Sequence, residues 1–266
     1  MKTKSAVLTK VEQLLTMKYH GRTVQNYLYH ISLFLDFSKN VPDRITNEDF
    51  LDYNIYLANS DYSYPYRNVA INAVKAYFNL YLRKKVKGYA AIRPPKQKKV
   101  PKDIPHKFLM NKIGRITNTK AKAILLLGYG CGLKSNEVIN LKVTDVNIEQ
   151  EEILVRGKGN KERIVPMSTE TALLIISYVD EHNPQEYLFN GQIKARYSPS
   201  SIIKLVKKHI GNYTFHQLRH SFATRLLRNG VGIEKVSALL GHSKLQTTMI
   251  YNHVMTREIE RELLPV

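Results

Sequence analysis

Ten residues near the middle of the chain, Arg93-Pro94-Pro95-Lys96-Gln97-Lys98-Lys99-Val100-Pro101-Lys102, limit its folding more than any other stretch. Each proline removes a backbone donor and pushes the residue before it out of helical geometry. Neither a helix nor an inner strand can therefore run through the segment. The spacing predicts an interdomain linker over 91–106, with one domain at 1–90 and another at 107–266. Residues 91–110 hold six Lys/Arg against one acid, Asp103. Such a run reads either as a solvated tether or as a tether lying along phosphates, and its charge density favours the second.

The whole chain repeats that bias. Among 266 residues, 41 are Lys or Arg and 22 are Asp or Glu, a formal net charge of +19. An excess this large points to a polyanionic partner, nucleic acid first and an anionic membrane surface second. The charge is spread over both halves, with 13 basic and 7 acidic groups in residues 1–90, which disfavours the membrane surface. No apolar run approaches the length of a membrane span, and no apolar signal region follows the basic N-terminus. A single cysteine, Cys131, excludes an internal disulfide and argues against a thiolate zinc site. The expected location is cytoplasmic, on the nucleoid.

Periodicity predicts a mainly α fold. Val7, Val11, Leu14 and Leu15 share a helical face, and Tyr27, Leu28, Ile31, Phe34 and Leu35 form a second. Thr46-Asn47-Glu48-Asp49 reads as a helix start, and Ile71, Val74, Tyr77, Phe78 and Tyr81 as another stripe. The first domain is thus a bundle of about four helices. In the second, Thr119–Gly130 is an apolar helix and Ser135 a candidate cap for a helix through Leu141. Residues 152–155 and 163–166 read as strands around a Gly-rich turn, a small antiparallel hairpin. Helices follow at 169–179, 198–210, from Thr214 to Asn229-Gly230, at 232–240, 245–251 and 256–264.

Two clusters carry chemistry. In His216-Gln217-Leu218-Arg219-His220, His216 and Arg219 are spaced i, i+3 on one helix face. A guanidinium offers a fixed fork to two phosphate oxygens, and an imidazole donates or shuttles a proton. The plainer reading is a polar helix surface. His216 and His220 also have a zinc spacing, but Gln217 stands where a metalloprotease needs Glu, so no metal or other cofactor is expected. The second cluster is Leu239-Leu240-Gly241-His242-Ser243, with Tyr251 nine positions after His242. Among 17 tyrosines, any one is by default a core aromatic; next to cations, a phenol becomes a nucleophile.

Five motifs in order are Gly132-Leu133-Lys134-Ser135-Asn136-Glu137, Arg156-Gly157-Lys158-Gly159-Asn160-Lys161-Glu162-Arg163-Ile164-Val165-Pro166, His216-Gln217-Leu218-Arg219-His220, Leu240-Gly241-His242-Ser243 and Tyr251. Together they resemble the tyrosine recombinase (phage integrase) family, in particular its small Xer-like members. The resemblance covers roughly 107–266. It implies that residues 1–90 are the SAM-like core DNA-binding domain and 107–266 the catalytic domain.

The resemblance also implies roles. Tyr251 matches the nucleophile that forms a 3′-phosphotyrosine, Arg219 the second phosphate-binding arginine, and His216 the acid–base or phosphate-contacting histidine. His242 matches the later His/Trp position, Lys158 the hairpin lysine that protonates the leaving 5′-oxygen, and Glu137 the acidic support residue. The family has arginine where this chain has Lys134. Lysine keeps the charge and loses the planar fork. It is read either as natural or as a replacement of arginine that slows the chemistry, the second being favoured. The candidate DNA contacts are Arg93, Lys96, Lys98, Lys99, Lys102, Lys161, Arg163 and His220.

The function so implied is site-specific recombination of double-stranded DNA through a Holliday junction, by a protein that is a tetramer on DNA and a monomer or weak oligomer when free. The amphipathic tail 256–266 is expected to dock on a neighbouring protomer. Two other readings stand beside it: a non-catalytic sequence-specific DNA-binding protein on the same fold, and a relaxing enzyme of the type IB topoisomerase kind.

Overall fold

The computed structural model describes residues 3–93, 103–157, 161–191 and 195–241. The chain divides into two compact units, Met1–Lys99 and Val100–Val266. Among the described residues, no helix is long and apolar enough to cross a membrane.

The first unit is built from four α-helices: α1 Lys4–Thr16, α2 Gly21–Phe37, α3 Asn47–Asn59 and α4 Tyr64–Tyr77. Short polar side chains start three of them. Thr3 and Ser63 accept from backbone N–H groups in the first turns of α1 and α4. Thr46 and Asp49 cap α3 reciprocally, as the sequence leads one to expect. The core is aromatic. Phe34 of α2 lies at its centre, with ring centroids 5.2 Å from Tyr53, 6.1 Å from Phe50 and 6.3 Å from Tyr77. After Tyr77 the backbone loosens into one π turn, Phe78–Leu82, which ends at Arg83 with φ +54°. Phenols tie this segment back to the turn before α3: Tyr77 donates to the Pro42 carbonyl at 2.7 Å and Tyr81 to Asp43 at 2.6 Å.

The second unit contains α5 His106–Gly114, α6 Thr119–Tyr129, α7 Ser135–Asn140, α8 Thr169–His182, α9 Pro199–Ile210, α10 Phe215–Arg228 and α11 Ile233–Leu240. Helix α6 packs against α8 and α10 and is buried nearly all round. Its run of Ala, Ile and Leu leaves no polar face, the pattern of a central helix. The strands β1 Val146–Asn147, β2 Glu152–Arg156 and β3 Glu162–Pro166 form one antiparallel sheet in that order. Its register pairs Ile153 with Val165 and Val155 with Arg163.

Three local expectations change. Helix α7 is capped at Lys134 rather than at Ser135, because the Glu137 carboxylate accepts the Lys134 backbone N–H at 2.7 Å. Helix α5 begins inside the stretch read as linker; Pro105 sits just outside it, where a missing donor costs nothing. Strand β1 is a two-residue edge that no alternation announces.

The described ends of the basic segment also take part in the units. Asn54 holds the carbonyl of Ile92, and Arg93 bonds Asn68 and Asn72 of α4. Ile104 is buried in the second unit, where its N–H donates to Ser221 at 2.8 Å.

Candidate active site

The chain turn between α6 and α7 and the helix α10 bring separate motifs together. Lys134 ends that turn with extended backbone geometry, and its side chain is 44% exposed. Three residues on, Glu137 is buried and carries a charge. Burying a lone carboxylate is costly, so partners must surround it. Arg163 of β3 donates Nη1 and Nη2 to its two oxygens, both at 2.9 Å. The Lys134 Nζ stands 3.6 Å away, and Arg219 Nη1 also 3.6 Å. Burial raises the Glu137 carboxyl, but the Arg163 hydrogen bonds, the Lys134 N–H and the positive charges outweigh it and hold the group below the usual carboxylate range.

Arg219 is 1% exposed. Its guanidinium donates to the Gly132 carbonyl at 2.7 Å and to the Leu240 carbonyl at 2.5 Å. It thereby joins α10 to the Gly132–Glu137 motif and to the end of α11. His216 lies one turn earlier, in the first turn of α10. Thr214 and Gln217 cap that turn reciprocally. His216 keeps an exposed edge. Desolvation first, then the charges of Arg219 and Lys134, hold its imidazole below the ordinary histidine range. The same forces act on Lys134. Desolvation lowers its ammonium, and Arg219 and Arg163 add to the effect against the opposing pull of Glu137.

The result is a cationic cluster around one buried carboxylate, with an imidazole of lowered proton affinity beside it. Such a cluster can hold a phosphodiester and take up a proton.

Of the expected site residues, Lys134, Glu137, Arg219 and His216 stand in this cluster. Lys158, His242 and Tyr251 lie outside the described residues, as do Lys96, Lys98, Lys99 and Lys102. Lys161 is exposed, and Arg93 is exposed with its fork on two asparagines. Two expected DNA contacts are turned inward in this structure. Arg163 is 13% exposed and spends its fork on Glu137. His220 is 2% exposed, on the inward face of α10. The alternation of Arg163 with buried Val165 on β3 is the sequence signal that would have placed it inward.

The sequence pattern of the phage integrase family matches residues 106–258, and that of the phage integrase N-terminal SAM-like domain matches residues 8–88. The chain belongs to the phage integrase family. Tyrosine recombinase XerA of Pyrococcus horikoshii is 36% identical over 255 residues, 91% of this chain and 86% of that protein. A tyrosine recombinase of Pseudothermotoga lettingae is 34% identical over 71% of this chain and 70% of its own. Among solved structures, a crystal structure of XerA recombinase is 31% identical, with a TM-score of 0.56 over 98% of this chain and 99% of that one. A XerH site-specific recombinase bound to its difH substrate shares the fold at 21% identity, with a TM-score of 0.70 over 98% and 84%. This phage integrase family member is accordingly a tyrosine recombinase, an enzyme that cleaves and rejoins DNA.

Proposed function

We propose that the chain recombines specific double-stranded DNA sites with Tyr251 as nucleophile and Lys134, Lys158, His216, Arg219 and His242 as the groups around the scissile phosphate. The phenolic oxygen of Tyr251 attacks phosphorus and its proton passes to His216. The bond from phosphorus to the 5′-oxygen breaks, and the Lys158 ammonium gives that oxygen a proton. The 3′-phosphotyrosine keeps the energy of the broken ester, so a 5′-hydroxyl from another strand reverses the step without an external energy source. Lys134 and Arg219 neutralise the charge that builds on the non-bridging oxygens. Glu137 holds those cations in place. Two such exchanges in a tetramer on DNA pass through a Holliday junction. The protein acts in the cytoplasm, on the nucleoid.

The observation that carries this reading is the convergence of Lys134 and Arg219 on the buried Glu137 carboxylate, with His216 near enough to both cations to feel their charge. One feature favours a second reading, a DNA-binding protein that has lost cleavage. Position 134 is a lysine, which cannot offer two oriented donors to two oxygens. Losing one oriented donor costs about two to three orders of magnitude in rate.

Nicked suicide duplexes from DNA flanking the gene decide between them. The chain as it stands, Lys134→Arg and Tyr251→Phe are incubated side by side and assayed for an SDS-resistant adduct. Recombination predicts an adduct that needs Tyr251 and grows in the Lys134→Arg form. Specific binding without an adduct from the arginine form establishes the non-catalytic reading.

A further inference from the structure

Arg163 occupies the inward position of β3 nearest the hairpin tip, opposite Val155. Its side chain meets two other elements at once. The fork takes both oxygens of Glu137, in the first turn of α7, and Nε donates to the Leu239 carbonyl at 2.7 Å, in the last turn of α11. Gly241, with φ +61°, lies against the guanidinium. A Cβ there would fall 3.0 Å from Arg163 Cδ and 3.1 Å from Nη1. The glycine before His242 is therefore needed both for a left-handed backbone and for room beside this side chain.

The hairpin's other charged contacts, among the described residues, stay within the sheet and the turn leading into it: Arg156 bonds Asp145 and Glu162. The buried Ile153, Val155 and Val165 anchor the body of the sheet. Among the described residues, Arg163 is thus the polar tie from the tip end of the hairpin to Glu137 of α7 and to the end of α11. The segment between β2 and β3 contains Lys158, the proposed acid.

We propose that Arg163 is a positioning residue for DNA cleavage: it locks the β2–β3 hairpin to Glu137 and to the end of α11, and so sets the Lys158 acid against the leaving 5′-oxygen. The proposal rests on the assignment of Tyr251 and Lys158 above. Arg163 touches no substrate in this role. Lysine cannot replace it, because one ammonium cannot reach two carboxylate oxygens and a carbonyl in fixed directions. A displacement of about 1 Å at a reacting group costs about 100-fold in rate.

The test separates the acid step from everything else. A duplex with sulfur in place of the bridging 5′-oxygen releases a thiolate, which needs no proton to depart, since thiols ionise near pH 8.5. Single-turnover cleavage of ordinary and sulfur-bridged duplexes is measured for the parent chain, Lys158→Ala, Arg163→Lys and Arg163→Gln. The ratio of the two rates within one preparation is independent of the fraction folded.

Both Arg163 variants are expected to bind DNA within about threefold of the parent. They should cleave the ordinary duplex about 100-fold more slowly and, like Lys158→Ala, recover most of the loss on sulfur. An equal loss on both duplexes overturns the proposal, and so does no loss at all. If neither the parent nor its Lys134→Arg form makes a Tyr251-dependent adduct, the functional assignment itself fails, and the proposal with it. A parent and Lys158→Ala that behave as expected, beside Arg163 variants that sulfur does not rescue, refute the Arg163 role alone.

Discussion

The guanidinium of Arg219 donates to the carbonyl of Gly132 at 2.7 Å, across 87 positions of sequence. This bond seats α10 on the turn that leads to Lys134. Gly132 has φ +65°, and a Cβ on it would lie 2.4 Å from Phe222 Cδ1 and 2.7 Å from Cε1. Gly132→Ala should therefore destabilise the protein by about 2–4 kcal/mol, part from the left-handed backbone and part from the clash. Urea unfolding measures the loss. Adding Phe222→Leu should return the steric part and leave the backbone part. A Gly132→Ala protein as stable as the parent would refute this account.

Glu137 makes stability depend on pH. Its folded pKa lies below the unfolded value, so the unfolded state takes up the proton first as pH falls. The stabilisation is complete above the ordinary carboxylate range and is lost as pH drops through the lowered folded value. Glu137→Ala should cost about 3–5 kcal/mol at pH 7, because it leaves Arg163 and Arg219 buried without their counter-charge. It should also flatten the acid limb of a plot of stability against pH. A parallel displacement of the two curves down to acid pH would show that another group carries the dependence.

His216 is expected to be neutral at physiological pH, since desolvation, Arg219 and Lys134 all lower its pKa. Ring-proton NMR should find its titration below the ordinary value of about 6.5. In Lys134→Gln one cation is gone, so the titration should move upward. Cleavage that needs the neutral imidazole should rise with pH through the same range and then level off. A His216 titration unmoved by Lys134→Gln would mean that the two groups do not sense each other.

The N-terminal turn of α10 gives a smaller effect. Thr214 accepts from Gln217 N–H at 3.3 Å, and the Gln217 side chain accepts from Thr214 N–H at 2.9 Å. Thr214→Ala should cost about 1 kcal/mol of stability. It should slow cleavage more than it weakens binding, because His216 sits in that turn. Thr214→Ser, which keeps the acceptor, should behave like the parent in both assays.

Much of this was legible from residue order. Thr46 to Asp49 and Thr214 mark helix starts by short-range chemistry, and the structure starts helices there. The apolar run of α6 identified a helix, and the packing against α8 and α10 made it the central one. The hairpin followed from β-branched residues on both sides of a Gly-rich turn. Helix α5 and strand β1 were not legible. Nine residues with a proline at their start carry too little periodicity, and a two-residue edge carries none. Ser135 offered a better cap than Lys134, yet the buried Glu137 decided the matter by taking the Lys134 N–H.

The charged residues mark the boundary between the two kinds of information. Sequence alone determined a mainly helical, strongly basic chain with the ordered motifs of a tyrosine recombinase, because helix periods and caps act over three or four residues. Only the tertiary structure decided which cations serve which purpose. Arg163 and Lys161 stand two positions apart in one basic stretch, but Lys161 is exposed while Arg163 turns inward to Glu137, 26 positions away. The reason is desolvation: a buried carboxylate is stable only where the fold delivers cations to it, and that delivery depends on neighbours distant in sequence.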